Sequence, residues 1–143
     1  MTRIRPSVLL SSLAVLVAGA AFFASPALAQ SGEERSVLDG VYSPEQASFG
    51  QEVYEAECAL CHMTQEFTGR IFLLSWSNRS VHDLFRSIRS TMPFDRPGGL
   101  TDEQYTAIVS YLLKLNDFPE GDEEMKASEE ALSQIKIEPP PNQ

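Results

Sequence analysis

A chain of 143 residues with 20 acidic and 11 basic side chains, net charge −9, has length for one small domain after any leader is removed and none for a second. The acidic balance argues against nucleic acid and anionic lipid as partners and favours docking onto basic patches, beside the plainer reading of a solvated coat that maintains solubility. Two cysteines and two histidines are too few for a four-ligand zinc knuckle.

Residues 1–29 read as a secretory signal peptide. Arg3 and Arg5 supply a positive start, Val8 to Phe23 an almost unbroken apolar run, and Ala27-Leu28-Ala29 the small residues that a signal peptidase reads, with cleavage before Gln30. The alternative is a retained anchor, since Val8 to Leu28 approaches the roughly twenty residues that span a bilayer. Ser11, Ser12, Ser25 and Pro26 weaken that span. Export places the chain in the periplasm, with membrane attachment only if the segment is kept. The loss of two arginines and no acid takes the net charge from −9 to −11.

Residues 30–42 show no periodicity and read as a polar arm or tether. Ser43 then caps a helix, with Pro44 at its first position and Gln46 as a capping-box partner. Ala47, Phe49, Gly50, Val53 and Tyr54 recur at helical spacing, and Gly50, which costs helix stability, marks a close helix crossing. The helix runs into Cys58-Ala59-Leu60-Cys61-His62, the spacing of a c-type haem attachment site. Two thiols on one helical turn can each add to a vinyl group of one porphyrin, and the adjoining imidazole can bind the iron from below. The competing readings are weaker. A redox disulfide needs a βαβ setting that the chain lacks, and a structural disulfide across so short a loop would stabilise little.

Met63 to Arg79 reads as a loop or short turns whose Phe67, Ile71, Phe72, Leu73, Leu74 and Trp76 fill space around an apolar ring, Trp76 being either a propionate partner or a core side chain. Ser80, with Asp83 three residues on, caps a helix from Val81 to Ser90 with one stripe, Val81, Leu84, Phe85 and Ile88. Thr101, with Gln104, opens the strongest amphipathic helix, its stripe of Tyr105, Ile108, Val109, Leu112 and Leu115 running to Asn116. Phe118-Pro119-Glu120-Gly121 ends it. Residues 119–143 form an acidic, Pro-rich tail with a short helix capped by Ser128, Leu132 and Ile135 inward, and Pro139-Pro140-Pro141 last. No repeat and no alternating strand is evident. The porphyrin would also supply the help that so small a core commonly needs.

Four side chains compete for the sixth iron position: Met63, His82, Met92 and Met125. Met63 adjoins the proximal ligand and cannot reach the other face. His82 reads as a surface histidine and Met125 as cover for apolar surface. Met92 stands in Thr91-Met92-Pro93, where proline ends the helix and holds the preceding residue extended, which is good ligand geometry.

From Pro44 to Asn116 the chain resembles a class I c-type cytochrome. Cys58/Cys61/His62, then Met92-Pro93, then an amphipathic helix carry the resemblance. Within that family it is similar to the cytochrome domains that accept electrons from periplasmic dehydrogenases, quinoprotein ones included. Ser77-Asn78-Arg79-Ser80, Met92-Pro93 with Asp95-Arg96-Pro97-Gly98, and Tyr111-Leu112-Leu113 to Asn116 carry that closer likeness. The resemblance implies an all-α cytochrome domain over residues 43–118 with its N- and C-terminal helices crossing. It implies one covalent haem c on Cys58 and Cys61, with His62 and Met92 as proximal and distal ligands. The segment from Met63 to Ile71 departs from the pattern: it is short and lacks the proline whose neighbouring carbonyl holds the imidazole, so the partner of His62 is open.

The function expected is one-electron transfer without substrate turnover, between a dehydrogenase and an oxidase or another cytochrome. The alternatives are a dedicated haem subunit of a dehydrogenase complex, or a haem enzyme or gas sensor with an open sixth position.

Overall fold

The computed structural model describes residues 34–140, so the signal segment at 1–29 lies outside the described residues. Among those described, α-helices dominate: α1 (Pro44–Glu57), α2 (Gly69–Trp76), α3 (Val81–Thr91), α4 (Asp102–Leu115) and α5 (Glu129–Ser133), with two two-residue strands, β1 (Arg35–Ser36) and β2 (Ile135–Lys136). The all-α architecture is the one expected. No helix of the described residues is long and apolar enough to cross a membrane.

The expected caps form because each hydroxyl satisfies an amide that the helix start leaves unbonded. Ser43 accepts from the Gln46 N–H at 3.1 Å, Ser80 from Asp83 at 3.1 Å, Thr101 from Gln104 at 3.2 Å and Ser128 from Ala131 at 3.2 Å. At Ser80 and Thr101 the carboxylate or amide three residues on closes the capping box. Gln46 does not. Its amide turns inward, accepting from Ser110 Oγ at 2.9 Å and the Met125 N–H at 3.0 Å and donating to the Met125 carbonyl at 2.9 Å.

The frame of the domain is the packing of α1 on α4. A Cβ on Gly50 would overlap the carbonyl oxygen of Ala107, so glycine is what lets the backbones approach. Leu84 and Phe85 of α3 and Tyr105, Ile108, Val109 and Leu112 of α4 complete one apolar cluster with Val53 and Phe72.

Three segments differ from expectation. Residues 34–42 are not a free arm: Val37, Val41 and Tyr42 are buried, β1 lies parallel to β2 with Arg35 opposite Ile135, and the Tyr42 hydroxyl donates to the Phe118 carbonyl at 2.6 Å. The tail is equally part of the domain, with Met125, Leu132, Ile135 and Ile137 buried and Ile137 exchanging bonds with the Asn78 N–H and the Arg79 carbonyl at 2.8 and 2.9 Å. Apolar burial at both ends thus adds to a core that α1, α3 and α4 leave small. The third is residues 69–76, expected as loop or turns, which form α2 after a 3₁₀ turn at Thr64–Phe67. It turns Phe72 into the core and leaves Ile71 and Leu74 exposed.

Candidate functional site: a two-sided apolar cleft

The Cys58–His62 motif continues α1 as a loose helical turn. The Cys58 N–H bonds the Tyr54 carbonyl at 2.8 Å, and the N–H groups of Cys61 and His62 return to the Cys58 carbonyl at 3.1 and 3.0 Å. Cys58 is half-buried and Cys61 exposed, and the two are not joined in a disulfide. Burial, and then the neighbouring Glu57, push the Cys58 thiol up. That direction is opposite to the lowered pKa of a redox-exchange thiol.

His62 is held from two sides. Tyr54 Oη donates to its carbonyl at 3.0 Å, and its Nδ1 lies 3.2 Å from Glu66 Oε2. Hydrogen bonds from the Met63 N–H and then from His62 hold Glu66 below the usual carboxylate range. An ionised carboxylate only accepts, so Nδ1 is the donor in this contact, and Nε2 is the ring nitrogen that Glu66 leaves unengaged. Phe67 stands edge-on to the imidazole, ring centres 5.3 Å apart. Asn116 fastens the turn below: its Oδ1 accepts from the Gly69 N–H at 2.7 Å and its Nδ2 donates to the Phe67 and Leu112 carbonyls, each at 2.8 Å.

Met92 closes α3 in extended conformation, φ −127° and ψ 155°, as its proline neighbour requires. Its carbonyl accepts from Tyr105 Oη at 2.7 Å, and Arg96, four residues on, pairs with Glu57 beside the thiols. The loop that carries the thioether is thus tied both to α4 and to the end of α1.

Between these two loops lies a cleft of about 190 Å³. Cys58, His62 and Met92 line it together with Phe67, Phe72, Trp76, Leu84, Ile108 and Leu112. A second hollow, with Leu60, Cys61, Pro93 and Phe94 on its walls, adjoins it through Cys58, His62 and Met92. Of the four candidates for the sixth position, only Met92 faces the cleft: Met63 is exposed, Met125 is buried against Gln46, and His82 stacks on Phe85 with ring centres 6.3 Å apart. Trp76 lines the cleft under the Arg79 guanidinium, 4.6 Å from its ring centre.

The donor set suits an iron porphyrin: an imidazole, a thioether and one thiol on the wall of an apolar slot, with the second thiol in the hollow that adjoins it. It does not suit zinc, since among the described residues no three His, Cys, Asp or Glu side chains gather to hold a metal ion. A family model described as cytochrome C oxidase, cbb3-type, subunit III matches residues 45–112. Residues 45–112 form a c-type cytochrome domain. The helical architecture is accordingly cytochrome c-like, the activity is haem-based electron transfer, and the cofactor that such a domain implies is haem c. Searches of curated proteins and of solved structures found no match.

Sequence reasoning missed the parts played by Glu66, Tyr105 and Asn116. For Glu66 a signal existed in its i, i+4 spacing from His62. Tyr105 and Asn116 act across 13 and 47 or 49 residues, separations at which no local pattern speaks.

Proposed function

We propose that the chain is a periplasmic single-haem electron carrier, with a dehydrogenase as donor and an oxidase or another cytochrome as acceptor. The observation that carries this reading is the single cleft onto which His62, Met92 and Cys58 all open, with Cys61 at its edge. In this reading Cys58 and Cys61 hold haem c through thioethers, His62 Nε2 is the proximal ligand and the Met92 sulfur the distal one. Bound haem supplies a one-electron ferric/ferrous couple. The protein's residues set its conditions: the Glu66–His62 contact orients the imidazole, the Tyr105–Met92 contact steadies the thioether loop, and Phe72, Leu84, Ile108 and Leu112 keep water from the slot. Leu60 and Phe94, among the most exposed apolar side chains of the described residues, flank Cys61 and offer a small, transient contact at the mouth.

Mass spectrometry of the exported protein tests the assignment. A chain beginning at Gln30 and carrying one haem mass is expected, together with a far-red absorption band of methionine-ligated ferric haem that disappears in Met92→Ala. A mature chain without that mass would overturn the reading, and a band that survives the substitution would remove Met92 from it.

A second reading makes the chain a dedicated subunit, and the description of the matched family as an oxidase subunit favours it. Stoichiometric copurification with one membrane or periplasmic complex would distinguish it from a free carrier.

A further inference from the structure

The short segment after His62 has no proline carbonyl to receive the imidazole, and the structure puts a carboxylate in that place. Glu66 is fixed at both oxygens: Oε1 accepts from the Met63 N–H at 2.9 Å, and Oε2 faces His62 Nδ1 at 3.2 Å. The 3₁₀ turn Thr64–Phe67 sets this spacing, and Asn116 anchors the turn through Phe67 and Gly69. The Glu66 side chain is half-exposed, and His62, not Glu66, lines the cleft.

We infer that Glu66 is the positioning partner of His62 and, resting on the His62 ligation proposed above, that its charge holds the haem at a lower potential than a neutral acceptor would. A carboxylate accepting from Nδ1–H increases the basicity of Nε2 and fixes the plane of the ring. Ferric iron carries one positive charge more than ferrous, so both the more basic ligand and the nearby negative charge favour the ferric state. A backbone carbonyl in the same place would fix the ring without supplying the charge. Solvent screens a half-exposed group, so the effect falls below the ten- to hundredfold typical of enclosed metal-site partners.

The test is redox titration of the holoprotein at pH 7, comparing wild type with Glu66→Gln, which keeps the shape and the Met63 contact, and with Glu52→Gln, which removes an equally negative exposed group from α1. Glu66→Gln is expected to shift the ferric/ferrous equilibrium about threefold toward ferrous. That corresponds to a rise of about 28 mV at 59 mV per tenfold for one electron. Glu52→Gln should move it by clearly less, and Glu66→Asp should stay nearer to wild type than the glutamine variant. In the diamagnetic ferrous wild type, the His62 Nδ1–H resonance should be slow to exchange and show cross-relaxation with the Glu66 side chain, a readout that needs no variant. A Glu66→Gln potential within the Glu52→Gln shift, or a His62 Nδ1–H that exchanges freely, overturns the inference while leaving haem binding intact. A wild-type chain without covalent haem would instead sink the carrier reading itself.

Discussion

The two loops that face each other across the cleft are held in opposite ways. On the His62 side the donor side chain itself is gripped, by Glu66, and the chain beneath it is clamped by the buried Asn116 through two backbone groups. On the Met92 side no hydrogen bond reaches the thioether among the described residues, and the loop is fixed instead through its backbone, by the phenol of buried Tyr105, and by the Arg96–Glu57 pair at the surface. The difference follows from the chemistry of the donors. An imidazole has a second nitrogen that can be hydrogen-bonded, whereas a thioether has no donor and must be aimed by its main chain. One side is therefore tunable through a side chain and the other mainly through loop geometry.

Asn116→Ala breaks the clamp on the His62 side. It leaves the Gly69 N–H and the Phe67 carbonyl without their partner, and loss of a buried, multiply bonded amide is expected to cost about 2–4 kcal/mol in thermal or denaturant unfolding of the holoprotein. If the loss is within a few tenths of a kcal/mol, Asn116 is not what holds that turn. Tyr105→Phe tests the other side. Removing the hydroxyl loses its hydrogen bond to the Met92 carbonyl and a longer one, 3.4 Å, from the Leu100 N–H, and should cost about 1–2 kcal/mol. Its sharper signature is faster carbon monoxide binding to the reduced protein, as the thioether is released more readily. Equal acceleration by Asn116→Ala would erase the distinction between the two loops.

The smallest effect concerns the start of α3, the helix that delivers Met92. The Ser80 hydroxyl and amide hold Asp83 below the usual carboxylate range. A carboxylate with a lowered folded-state pKa stabilises the protein above its unfolded value of about 3.9, and that contribution fades as pH falls through the folded value. The melting temperature of Asp83→Asn should therefore lie slightly below wild type at pH 7, with the gap closing below about pH 4. A gap that persists undiminished in acid would show that the charge of Asp83 is not its source.

Helix starts were legible because their signals are local: the hydroxyls of Ser43, Ser80, Thr101 and Ser128 cap amides three residues away. Gly50 was legible for the same reason, since a glycine inside a helical pattern asks for a physical cause and the close backbone of Ala107 supplies it. The attachment motif and Met92-Pro93 were readable as spacing alone. Elements of two residues have no period to read, so β1 and β2 and the burial of Val37 and Ile137 escaped. Helix α2 escaped because its N-cap Thr68 makes no capping hydrogen bond and its apolar side chains surround the axis, with Phe72 inward and Ile71 and Leu74 outward. At Gln46 a local signal misled. A glutamine three residues after a capping serine can close a box, but here a long-range claim from Met125 and Ser110 wins.

The pairing of β1 with β2 also has a mechanical side. The strands run parallel, one near each end of the described chain, so a pull on those ends in opposite directions draws the strands along their own length and loads their hydrogen bonds together in shear. Tension would meet this seam, and the Ile137 bonds beside α3, before it reached the α1–α4 crossing. If such a cytochrome were tethered at one end and gripped by a partner at the other, the strain would fall on the seam and spare the slot where the electron resides.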